Sequence, residues 1–293
     1  MHYALTFISL LLVEAREGLR QFFMYWQFYD LKQNPFSLTP DPAFFFPNPH
    51  HEDALATLIE SLHQRQGIGA ILGDVGLGKT LLLRVYLTLA QQQQYKTVYV
   101  VGTDLTFRPL LQMLYQALDL DFAIATLDML LAACRQHSVI LGIDDAHLMP
   151  TLTLKKLWTL VEYAASAGAI LHVVLAGHRE LEAKINALTL HNLMPSSVAC
   201  YTLSPFTPKE SRAYIDHRLA HITSQTETVF SARALALIVR AAQGVPGTLN
   251  VLCMNALIAG FWAQQRPVSA KAAREAIAQV QGSHPSQRRR WWS

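Results

Sequence analysis

Gly73-Asp74-Val75-Gly76-Leu77-Gly78-Lys79-Thr80 fills G-x-x-x-x-G-K-[ST] at every fixed position, and the apolar run from Ile68 to Leu72 leads straight into it. Strand, glycine loop and helix in that order make a phosphate-binding loop. Glycines let the backbone curl until successive N–H groups point inward, Lys79 reaches the outer phosphate oxygens, and the Thr80 hydroxyl is a ligand for Mg²⁺. The expected nucleotide contacts are therefore Gly73, Asp74, Val75, Gly76, Leu77, Gly78, Lys79, Thr80 and Leu81.

Beyond the loop the pattern alternates helix and strand. A helix is expected at 79–92, a strand at 97–101, helices at 107–118 and 124–137, a strand at 138–143, a helix at 152–167 and a strand at 169–176. Val139-Ile140-Leu141-Gly142-Ile143 delivers Asp144 and Asp145 at its carboxyl end, where parallel sheets bind ligands. Asp144 is assigned to Mg²⁺ through water. Asp145 is the carboxylate expected to polarise the attacking water, which makes it catalytic together with Lys79. From Thr207 onward the strand rhythm stops, and helices are expected at 208–221, 232–243, 247–264 and 270–281. Thr207 with Glu210 spells a capping box, Ser231 and Ser269 are N-caps, and Gly244 ends a helix. A parallel sheet flanked by helices and followed by a small all-α lid is the α/β plan of an AAA+ P-loop NTPase, taking ATP and Mg²⁺. The expected divisions are an N-terminal extension 1–23, a proline-aromatic linker with a first helix 24–66, the nucleotide-binding domain 67–206, the lid 207–281 and a tail 282–293.

Composition bounds the rest. With 51% hydrophobic and 15% charged residues the chain can bury a large core and is not a disordered one, and a formal charge of +3 is too slight to imply nucleic acid. Cys134, Cys200 and Cys253 are far apart and in apolar stretches, which reads as buried free thiols in a reducing compartment. The histidines are read as forming no cluster, so Mg²⁺ is the only metal expected. The apolar run from Tyr3 to Val13 falls short of the roughly 20 residues of a membrane span. Residues 1–23 then have two readings, an extension ahead of the true start at Met24 or an amphipathic helix touching a membrane. Residues 31–51, rich in proline and phenylalanine, cannot form regular helix and should lie as a stiff strap, either over the adenine and the sheet edge or simply against the core. The tail Arg288-Arg289-Arg290-Trp291-Trp292 suits an anionic membrane surface, with a solvated tail as the alternative.

Phe28-Tyr29-Asp30-Leu31-Lys32-Gln33-Asn34-Pro35-Phe36, then Asp144-Asp145-Ala146-His147-Leu148, Gly177-His178-Arg179-Glu180-Leu181 and Gly244-Val245-Pro246, resemble the general secretion pathway protein A (ExeA-like) ATPases, a family that includes the MSHA-type pilus biogenesis ATPases. The resemblance spans about residues 24–281. It implies an ATPase that forms rings or ATP-dependent oligomers with itself and helps to assemble a type II secretion or pilus machine. The implied location is cytoplasmic and peripheral at the inner membrane. Larger members add a membrane helix and a peptidoglycan-binding domain, so the chain looks like the short, pilus-type form. Departures fall on the parts that hydrolyse. Asp145 stands where the family has Glu, His178 where it has Gln, and His191, Ser196 and Gly247 where it carries arginines. His178 is read as a γ-phosphate sensor or as a surface histidine, and Arg179 as a substitute cation or a solvated one. The expectation is tight ATP binding with slow turnover. Transposition ATPases of the TniB kind, which couple ATP to DNA-bound oligomers, share this core and are the alternative. With 24 basic against 21 acidic residues and no basic helix face, nucleic acid is not the expected partner.

Overall fold

The computed structural model describes residues 25–190, 198–224, 226 and 229–282. These fall into two compact units, Pro40–Ser204 and a second one built from the described residues on either side of it.

The first unit is a five-stranded parallel sheet. Its strands are β1 (Ile68–Leu72), β2 (Lys96–Val101), β3 (Val139–Asp144), β4 (Leu171–Gly177) and β5 (Ala199–Thr202), in the order β2-β3-β4-β1-β5. The three inner strands are buried along their whole length, while the edge strands β2 and β5 alternate in exposure. Continuous apolar runs belong in a parallel sheet covered on both faces, and the helices supply the cover. They are α1 (Pro49–His63), α2 (Lys79–Gln92), α3 (Phe107–Ala117), α4 (Leu127–Gln136), α5 (Thr151–Ser166) and α6 (Arg179–Leu190). Gly142 in β3 lets α2 come close, because a Cβ there would meet Leu87 at 2.8 Å and Leu83 at 3.0 Å.

Four expectations need correction, three of them in this unit. Pro49 opens α1 instead of excluding helix from 31–51: proline is tolerated at N1, where its missing N–H is not needed, and the Asn48 side chain accepts from His51 N–H at 2.9 Å. Strand β5 was not expected, and its four residues at a sheet edge are too few to show a period. Cys200 lies on that edge and is exposed, whereas Cys134 and Cys253 are the buried free thiols expected.

His172 on β4 is buried beside Tyr86, and neither ring nitrogen has a hydrogen-bond partner. Burial pulls its pKa down to about 4. As pH falls, the unfolded chain takes up this proton first, near the ordinary histidine value of about 6.5. Stability is thus full above about 6.5 and drains towards about 4, by up to about 1.4 kcal/mol per pH unit. Urea midpoints at about pH 7 and about pH 5 should therefore lie well apart for the natural chain and closer together for His172→Leu. Equal gaps in both would remove His172 as the cause.

The second unit packs four helices, α7 (Pro208–Ala220), α8 (Ala232–Ala242), α9 (Pro246–Trp262) and α10 (Ala270–Gly282). The caps are as expected: Thr207 and Glu210 form the reciprocal box, Ser231 accepts from Ala234 N–H and Ser269 from Ala272 N–H. Gln243 and Gly244, both at positive φ, end α8. The strap is divided between the units. Its first part belongs with these helices, where Phe36 meets Phe230 and Arg218 donates to Ser37 O at 2.8 Å; just ahead of the strap the buried Tyr29 donates its hydroxyl to Gln265 O at 3.0 Å and Phe28 meets Phe261 edge-on. Its second part packs on the sheet unit, where Phe44 is buried and Arg84 donates to Pro40 O. Packing is thus the reading that the contacts support. His217 on α7 and His221 at its C-cap, one turn apart, bring their Nε2 atoms to 3.3 Å, so the expectation of no histidine grouping fails here on i, i+4 spacing alone. Among the described residues no helix is long and apolar enough to cross a membrane.

Candidate functional site

Loop 73–78 leaves the carboxyl end of β1 and runs into the N-terminus of α2, with Gly73, Gly76 and Gly78 all at positive φ. Side chains are excluded from Gly73 doubly, since a Cβ would also press on Leu77 and Leu203 at 3.2 and 3.4 Å. Lys79, first residue of α2, is buried, and its Nζ donates to Asp74 O at 2.8 Å across the loop. Burial pulls its pKa below the ordinary lysine value, opposed by Asp144, Asp145 and Asp74. The cation thus sits among three carboxylates, in the place where a phosphate would meet it. Thr80 is half-buried on the same turn.

Because β4 separates β1 from β3, the two strands deliver the loop and the acidic pair on either side of the β4 terminus. Asp144 is buried. Its Oδ2 accepts from the Tyr99 hydroxyl at 2.9 Å and its Oδ1 from the Asp145 N–H at 3.0 Å, so the carboxylate is oriented before any cation arrives. Tyr99 is in turn stacked beneath Arg84, 5.0 Å from the ring centre. Neither Tyr99 nor Arg84 was singled out from sequence: the β2/β3 pairing, with Val101 opposite Asp144, brings Tyr99 to the site, and Arg84 reaches its ring from α2. A buried carboxylate and a hydroxyl are hard oxygen donors, which fits Mg²⁺.

Asp145 is half-buried with φ 49° and ψ 35°, a left-handed conformation that aspartate tolerates. Its backbone is backed by Gly102, where a Cβ would lie 3.0 Å from Asp145 O and 2.8 Å from Met149. His178 follows β4, and its ring lies 4.3 Å from that of His147. The pair is half-buried, so His178 is neither wholly a surface residue nor alone. Arg179 is exposed and paired with the loop, Nε to Asp74 Oδ1 at 3.3 Å. Gly247 lies on α9 in the helical unit. His191, Ser196, residues 1–23 and the arginine-tryptophan tail lie outside the described residues.

Residues 62–185 match the AAA domain family. The chain is 32% identical over 251 residues to general secretion pathway protein A of Aeromonas hydrophila, covering 81% of this chain and 45% of that protein, so it spans less than half of that relative's length. Among solved structures it is similar to Cdc6p from Pyrobaculum aerophilum, with a TM-score of 0.68 at 19% identity over 84% of this chain and 70% of the other. It is also similar to the Aeropyrum pernix ORC2 protein, solved as ADPNP–ADP complexes, with a TM-score of 0.63 at 14% identity over 87% and 73% of the two chains. Those two likenesses, with the matched AAA domain, fix the fold: an AAA+ sheet with a helical C-terminal part. Identity at the level of the Aeromonas protein across most of this chain, together with the matched AAA domain, supports membership of the ExeA-like family of AAA+ ATPases.

Proposed function

We propose that the chain binds ATP with Mg²⁺ at the loop and turns it over slowly, acting as a nucleotide-gated assembly factor. The observation that carries this reading is the buried Lys79 beneath a loop of three positive-φ glycines, facing the oriented carboxylate of Asp144. Residues 73–81 hold the phosphates, Lys79 neutralises them, and Thr80 with Asp144 hold the metal. Mg²⁺, when bound, would stabilise the charge on the phosphate oxygens. Asp145 is the base, and its side chain is one methylene shorter than the glutamate that the family resemblance implies there. Misplacement by about 1 Å can cost up to ~10²-fold in rate, and the imidazoles of His147 and His178 crowd the same carboxylate.

Asp145→Glu is expected to raise single-turnover hydrolysis about tenfold with ATP affinity unchanged, consistent with restored reach towards water. Brisk turnover in the natural chain, with no gain in the variant, would overturn slow hydrolysis while leaving nucleotide binding intact.

The machine served is read from the relative. General secretion pathway protein A is named for secretion, and we extend to this chain a role in building a type II secretion or MSHA-type pilus apparatus, at the cytoplasmic face of the inner membrane and as a self-associated ring.

A further inference from the structure

Asp145, His147 and His178 arrive on two connections that become neighbours because β3 and β4 are paired. One ligand atom from each, a carboxylate oxygen and two imidazole nitrogens, lies within 4.8 Å of the others. The two rings are tilted by 55°, so their edges, not their faces, can turn towards a common point. Nδ1 of His147 is shielded from solvent and has no hydrogen-bond partner, a state that costs free energy until something ligates it.

The backbone beneath these side chains is pinned. Lys184 on α6 donates to the carbonyls of both His147 and Met149. Asp145 N–H is held by Asp144 Oδ1. Gly177, just before His178, has no room for a side chain, since a Cβ would meet the Leu181 side chain at 2.8 Å and the backbone nitrogen of His147 at 3.2 Å. Positions fixed in this way are what a metal site needs from its surroundings.

We propose that Asp145, His147 and His178 form a binding site for a transition-metal dication of the Zn²⁺ class. Two imidazoles and one carboxylate are borderline ligands that suit Zn²⁺ and Co²⁺, whereas Mg²⁺ takes oxygens, so the set differs in kind from Thr80 with Asp144. Three protein ligands leave a fourth tetrahedral position open. Ligands around one Zn²⁺ stand roughly 3.4 Å apart, given bonds of about 2.0–2.2 Å, and rotation of the two imidazoles closes the gap. The metal would engage the carboxylate that polarises water, so its binding would hold nucleotide in place without turnover. That consequence rests on the role given to Asp145 above; the metal site itself does not.

The test uses the full chain, stripped of metal with a chelator and free of nucleotide, titrated with Co²⁺. One equivalent should give the intensified visible absorption of a four- or five-coordinate ion and be displaced by Zn²⁺. His178→Ala and, separately, His147→Gln should weaken binding at least tenfold, with far-ultraviolet circular dichroism showing that each is folded. The double variant His217→Ala/His221→Ala, which removes the other close histidine pair, should leave the signal unchanged. Loss of the signal in that double variant, or its survival in both single variants, overturns the proposal. Lys79→Ala should lose nucleotide yet keep Co²⁺, which separates failure of the metal site from failure of the nucleotide reading. Zn²⁺ should slow single-turnover hydrolysis in the natural chain and not in His178→Ala; intact Co²⁺ binding without such slowing overturns the brake and the role of Asp145, not the site.

Discussion

Lys79→Ala is expected to lose ATP affinity by two orders of magnitude or more while remaining folded. The lysine is buried at the start of α2, and its one hydrogen bond goes to a carbonyl on an exposed loop residue, Asp74, which water can serve instead. Stability should therefore move by only about 1 kcal/mol. Binding is different. Losing a charge-assisted contact to phosphate removes about 1.5–3 kcal/mol, and the carboxylates of Asp144 and Asp145, whose charge Lys79 offsets, are left facing a polyanion. Together these amount to a factor of ~10² or more in Kd. Equilibrium binding of a fluorescent ATP analogue in Mg²⁺, beside urea unfolding of the same samples, measures both. Affinity within tenfold of the natural chain would remove the loop as the phosphate site.

Gly244→Ala should be the most damaging single-methyl change in the helical unit. A Cβ at this position would stand 2.1 Å from Phe206 O and 2.9 Å from Phe206 N, at φ +79°. The obstacle is backbone, which has no rotamer to yield, and Phe206 N–H is already bonded to Gly244 O at 2.8 Å. Relief requires breaking that pairing at the entry to α7, a cost above about 3 kcal/mol. Gly168→Ala is the comparison: its φ is +71° but a Cβ there meets nothing within 4 Å, so only conformational strain of about 1 kcal/mol remains. Urea midpoints should fall steeply for the first and slightly for the second. Similar shifts would mean that the crowding at Phe206 is relieved at little cost.

The stretch β1-loop-α2 could be read to the residue from sequence, because a motif that prescribes backbone conformation also prescribes where strand ends and helix begins. The same holds for α7, whose capping box marks its start chemically. Strand β4 begins at Leu171, two residues later than the apolar run implied, because the N–H of Ala169 still bonds back to Ala164 O on α5 and that of Ile170 bonds Cys134 O instead of a strand. Asp144 and Asp145 were legible as a pair at a strand end. Their partners were not: Tyr99 is 45 residues away, and it meets Asp144 only through strand pairing that no local pattern records. His147 and His178 met for the same reason, across the β3/β4 neighbourhood. His217 and His221, by contrast, needed nothing but helical spacing.

Tyr29 bonds Gln265 across 236 residues of chain, with the entire sheet unit encoded between them. Synthesis runs from the N-terminus at about 5–20 residues per second. On the ribosome, then, the sheet unit can close first, while Phe28, Tyr29 and Phe36 wait for Phe230, Phe261 and Gln265 to be made. The helical unit closes only after the sheet unit has been made. A nascent chain stalled before α7 would hold a finished sheet unit and an open row of aromatic side chains, the kind of surface that chaperones bind.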